Sequence, residues 1–178
     1  MSDVQTPFPE AGGPSGTQAE FQLQKIYVKD VSFELPSAPQ IFNDEGSAEI
    51  KLNISQRVNT IEDSVFEVVL TVTVTATTQD KTAYLAEVHQ AGLFSIVGLS
   101  DQQRQVALNT LCPHTLFPFA ARTITSLVAE GGFPPLVLQP INFDQIYQQR
   151  VREAQAQAQA QGQDDSAGQD DMEVQGNA

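Results

Sequence analysis

The stretch Val65 to Thr77, VFEVVLTVTVTAT, decides the fold. Phe66, Val68, Leu70, Val72, Val74 and Ala76 fall on one side of an extended chain, with Glu67, Thr71, Thr73, Thr75 and Thr77 on the other. A period of two with this density of β-branched residues excludes a helix and predicts a strand with one buried face. The turn Thr78-Gln79-Asp80-Lys81 follows. From Thr82 to about Ile96 the chain alternates again, setting Tyr84, Ala86 and Val88 against Leu85, Glu87 and His89. So short a link favours an antiparallel hairpin.

Upstream, Ala48 to Ile54 sets Ile50, Leu52 and Ile54 against Glu49, Lys51 and Asn53, the pattern of a half-buried strand. Phe21 to Leu35, FQLQKIYVKDVSFEL, is aromatic and β-branched and is stopped by Pro36 and Pro39. Its apolar residues change side near Ile26, which predicts an edge or twisted strand. Residues 36–47 form the loop between these two strands. Downstream the pattern becomes helical: Ser100 or Asp101 caps a helix carrying Val106, Leu108 and Leu111, bent near Pro113 and Pro118. The helix resumes through Phe119, Ile124, Leu127 and Val128 and ends at Gly131-Gly132. Phe133 to Pro140 is extended. Asn142 then caps a last helix, with Gln145 three residues on and a stripe of Phe143, Ile146, Tyr147, Val151 and Ala154. The fold class is therefore α+β: a four-stranded antiparallel sheet followed by two helices packed on one face. The Thr-rich face is left to solvent or to assembly.

The chain has 178 residues and a net charge of −13, unevenly spread. Residues 1–20 carry −3, residues 153–178 carry −6, and the centre carries −4. Both ends are poor in large apolar residues, so residues 1–19 and 162–178 read as disordered tails around a domain at 20–161. QAQAQAQGQ, residues 155–163, a two-residue repeat broken by Gly162, favours helix but has no apolar stripe, and reads as a fraying extension of the last helix. The acidic balance disfavours nucleic acid and anionic membrane surfaces. The opening residues MSDVQTPFPE lack the basic and apolar regions of a secretory signal, and the longest nearly apolar run, Ala91 to Leu99, is too short to span a bilayer. One Cys forms no internal disulfide. A cytoplasmic protein without membrane insertion is expected.

Catalytic signatures are missing: there is no GxGxxG, no GxxxxGK[ST] and no GxSxG. Cys112-Pro113-His114 reads either as a thiolate–imidazole pair of a small acyl or thiol enzyme, or as a buried Cys beside a surface His. The second reading is favoured, because the intervening Pro directs neither side chain toward the other. One Cys and two separated His do not supply a zinc site. No cofactor, no metal and no enzymatic activity are expected.

FQLQKIYVKDVSFELPSAPQIF, EVVLTVTVTAT, AYLAEVHQAGLFSIVG and CPHTLFPFAARTITSLVAEGGFPPLVLQPINFD, taken in order, resemble the SecB family of protein-export chaperones over about residues 20–150. The resemblance implies a homotetramer, a dimer of dimers, that binds unfolded precursor proteins without ATP and passes them to the SecA ATPase. It implies a client groove of Phe42 in the loop, Ile50, Leu52 and Ile54 on the second strand, and Phe143, Ile146 and Tyr147 on the last helix. It implies a SecA contact at Asp30 and Glu34, four residues apart and hence about 13 Å along one strand face, with Leu85 and Glu87 on the fourth strand. Without the resemblance these residues read as core and as solvated sheet. A SecB-like adaptor for another partner, such as a toxin–antitoxin system, is the second functional reading.

Overall fold

The computed structural model describes residues 19–44 and 46–164. Strands β1 (Glu20–Glu34), β2 (Glu49–Glu62), β3 (Val65–Thr78) and β4 (Lys81–Val97) form one antiparallel sheet in the order β1-β4-β3-β2. The β3–β4 link is a two-residue turn with Gln79 and Asp80 at φ 49° and 63°. Positive φ at both central residues gives the tight turn whose twist matches the strands it joins.

Strand β2 runs eight residues beyond the expected Ile54, paired to β3 as far as Glu62 opposite Val65. After Ile54 the inward positions are Gln56, Val58 and Thr60, so the apolar alternation fades while backbone pairing continues. In β1 the change of side is made by two irregularities, between Leu23 and Lys25 and between Val28 and Asp30. Each β-bulge inserts one residue and moves the side chains beyond it to the other face.

The expected first helix is two helices, α1 (Asp101–Asn109) and α2 (Leu111–Glu130). The break falls at Thr110, not at the prolines. Pro113 sits in the first turn of α2, where its missing N–H leaves no intrahelical bond unmade, and Pro118 is carried inside the helix. Ser100 is the N-cap of α1: its hydroxyl accepts from the Gln103 N–H, and the Gln103 side chain accepts from the Ser100 N–H. Gly132, at φ 85°, turns the chain out of α2.

On α2, Cys112, Leu116, Ala120, Ile124 and Val128 recur every four residues and are all fully buried. This stripe covers the β3 and β4 face made by Leu70, Val72, Val74, Val88 and Phe94. Gly92 permits the close approach, since a Cβ there would lie 2.9 Å from Leu116. Helix α3 (Phe143–Asp164) starts with the Asn142 Oδ1 accepting from the Gln145 N–H. It is anchored by Phe143, which is 4% exposed, whereas Val151 and Ala154 of the expected stripe are exposed. The helix continues through the QAQA repeat to Asp164, so residues 162–164 are helical rather than part of a tail. The rest of the two expected tails lies outside the described residues, apart from Ala19.

Candidate client groove and partner face

The two sheet faces differ in cover. On the helix side, Ile50, Leu52 and Ile54 follow one another along β2, a run of roughly 13 Å at the usual rise per residue. β2 is an edge strand, which the helices meet at Ile54 and Gln56 but not at Ile50 and Leu52. Ile50 and Leu52 therefore stand 39% and 41% exposed although they are paired with the fully buried Ala76 and Val74.

At one end of this run lies an aromatic cleft of about 330 Å³, between the loop after β1 and the segment after α2. Phe42 and Phe133 have ring centroids 5.4 Å apart, and Phe133 lies 5.0 Å from Tyr84. Phe42 itself is 51% exposed. At the other end Ile54, Phe143, Ile146 and Tyr147 meet around a cleft of only about 30 Å³. Six of the seven expected groove residues thus lie along one path from the aromatic cleft to α3. The seventh, Phe143, touches the same cleft but is buried, with its ring edge-on to Phe117 at 6.0 Å. The open part of the path is Phe42, Ile50 and Leu52. Phe133, half-buried, and Tyr84, buried beneath it, line the aromatic cleft as well, which the sequence did not show, because Tyr84 reads as an ordinary inward strand position and Phe133 as part of a Pro-rich linker.

The opposite face gathers the expected acidic contact. Asp30 pairs with His89, Ser32 with Glu87 and Glu34 with Leu85, so all four expected residues share the outer side of β1 and β4. Glu87 accepts a hydrogen bond from the Thr73 hydroxyl at 2.7 Å and lies 2.9 Å from the His89 Nε2. The Thr73 bond, with His89 adding to it, holds the Glu87 carboxyl below the usual range.

A family model for the preprotein translocase subunit SecB matches residues 14–154. The chain belongs to the SecB family. It is 47% identical over 178 residues to the Protein-export protein SecB of Stenotrophomonas maltophilia, covering all of both chains. It is 45% identical over 168 residues to that of Xanthomonas euvesicatoria, covering 94% of this chain and 96% of that one. Among solved structures it resembles a SecB-like chaperone of Mycobacterium tuberculosis in complex with a ChAD peptide from the HigA1 antitoxin. That match has a TM-score of 0.58 and 17% identity and covers 68% of this chain and 91% of that one. At that identity the match shows the shared fold. The function is that of a SecB protein-export chaperone.

The thiol-chemistry reading of this SecB chain finds no geometric support. Cys112 is fully buried, and burial pushes its thiol up to about 12, so no thiolate is available to the exposed His114. Among the described residues no helix is long and apolar enough to cross a membrane.

One feature of the outer face has no sequence signature. Glu67, 6% exposed, accepts from the Lys29 Nζ at 2.7 and 2.8 Å, from the Asn59 Nδ2 at 2.8 Å and from the Tyr27 hydroxyl. The Lys29 bond, then those of Tyr27 and Asn59, lower its pKa from 4.5 to about 2. A depressed carboxylate pKa adds stability that is complete above the unfolded value and is lost as pH falls through the folded one. Stability should therefore drop by up to about 3 kcal/mol between about pH 4.5 and pH 2 on account of this group. Glu67→Gln, followed by denaturant titration across that window, should show a correspondingly flatter acid limb.

Proposed function

We propose that the protein is an ATP-independent holdase of the cytoplasm. It captures non-native precursor proteins along the Phe42, Ile50, Leu52 path and delivers them to the SecA ATPase through the Asp30, Glu34, Leu85, Glu87 face. The observation that carries this reading is the run of exposed apolar side chains on an edge strand that its own helices leave uncovered. Side-chain burial there is non-directional and so tolerates many client sequences, while the unpaired strand edge offers backbone hydrogen bonds to an extended segment. Ile54, Ile146, Tyr147 and Phe143 form the closed end of the same path and hold α3 against β2.

The assembly is a homotetramer, a dimer of dimers. Its support is the apolar surface a single chain leaves bare outside the groove: Val28 and Val31 on edge strand β1, Val106 on α1, and Leu111 and Phe119 on α2. Such patches on a lone chain mark association surfaces. Identities of 45–48% to proteins named for export favour the export role over an antitoxin adaptor. The test is the mass in solution of the full chain, alone and with an unfolded secretory precursor. The expected result is four copies of the 19.3 kDa chain, gaining mass with the precursor and without nucleotide. A monomer that ignores the precursor overturns the reading.

A further inference from the structure

The second bulge of β1 has a specific consequence for the outer face. Tyr27 stands opposite Ala91 and Val28 opposite Gln90, after which one residue, Lys29, is inserted before Asp30 meets His89. Without that insertion the register would set Asp30 opposite Val88 and Glu34 opposite Tyr84, both on the helix-covered side, and would turn Phe33 outward. Given the first bulge, this second one decides that the two acids of β1 share a face with Leu85 and Glu87.

Lys29 is held by Glu67, which lies two strands away on β3. The same carboxylate takes the Tyr27 hydroxyl, two residues before the inserted Lys29, and is steadied from the far side by Asn59 of β2. The small side chain of Ala91, the β4 residue opposite Tyr27, leaves room for these side chains to reach across the intervening strand. An ion pair with one buried partner, as here, is a weak source of net stability compared with apolar packing. What this one constrains is the inserted residue: it ties Lys29, the bulge residue itself, to β3, while an uninserted β1 would bury two carboxylates.

We propose that Glu67 is a positioning residue for the partner face: through Lys29 and Tyr27 it holds the β1 bulge that brings Asp30 and Glu34 beside Leu85 and Glu87. This rests on reading that face as the SecA-docking surface.

The test uses the full chain with purified SecA, measuring affinity, client holding and amide exchange along β1. Lys29→Met and Glu67→Gln should each weaken SecA binding roughly tenfold and accelerate exchange over residues 28–34, while aggregation suppression is unchanged. Lys29→Arg, which keeps the charge, should restore both readouts to near the unmodified protein. Should Glu67→Gln fold poorly, Lys29→Met carries the test. Asp30→Asn and Glu87→Lys are measured beside them. If those two weaken SecA binding while Lys29→Met leaves affinity and β1 exchange unchanged, the positioning role is overturned and the docking face stands. If those two leave affinity unchanged, the docking reading falls, and β1 exchange in Lys29→Met still shows whether Glu67 holds the bulge.

Discussion

Replacing Ile50 and Leu52 together by Asp should abolish suppression of aggregation of an unfolded precursor. Both side chains stand about two-fifths exposed on the helix side of β2, and the proposed groove makes a client the apolar partner they lack. Covering on the order of 500 Å² of such surface contributes roughly 12 kcal/mol before the cost of ordering an unfolded chain is subtracted. The margin left after that subtraction is a few kcal/mol. Each substitution removes about 2 kcal/mol of apolar burial and sets a carboxylate where the client would have to desolvate it. Two such changes exceed the margin. The fold should bear them better, because an edge position this exposed loses about 1 kcal/mol at most in strand propensity. Lys51→Asp, between them but on the other face, is the control and should hold clients normally. Light scattering of a diluted unfolded precursor reads the effect, and undiminished holding by a correctly assembled double variant would sink the groove assignment.

What the sequence carried, and what it did not, follows from which interactions are local. Strand β3 was legible because its inward face is apolar from Phe66 to Ala76 without a break, and the β3–β4 hairpin followed from its short link. The second half of β2 was not, since Gln56, Val58 and Thr60 are held by pairing with β3 rather than by their own burial. The split at Thr110 was misplaced onto prolines because a Pro in the first helical turn breaks nothing, a matter of where the helix starts rather than of composition. The groove and the acidic face were placed by family resemblance, as period-two alternation distinguishes the sides of a strand and not which side the helices will cover. The change of side in β1 was visible near Ile26. Its second bulge was not, because the Glu67 contacts that hold it join residues 38 and 40 positions apart.

The outer face makes the second large prediction, that Glu87→Lys weakens SecA binding by one to two orders of magnitude at low salt while client holding is kept. Glu87 sits centrally in the acidic set, across from Ser32, with Asp30 and Glu34 to either side of that residue on β1. Its carboxylate is aimed by two neighbours, the Thr73 hydroxyl and the His89 ring, so it presents a fixed charge rather than a mobile one. Reversal changes the local charge by two and places an ammonium between two acids, which would then pair with it instead of with a basic partner. Charges as exposed as these act chiefly on the rate and register of encounter, and each close pair contributes on the order of 1 kcal/mol in water. Losing the contact and gaining a repulsion together account for the expected factor. Thr73→Val, which frees the carboxylate without removing it, should cost only a few-fold. The whole effect should shrink as ionic strength rises past about 0.15 M, where screening reaches over roughly 8 Å. The groove lies on the other side of the sheet, so a variant that loses clients as well would point to a damaged fold, and one that binds SecA with unchanged affinity in low salt would remove Glu87 from the docking face.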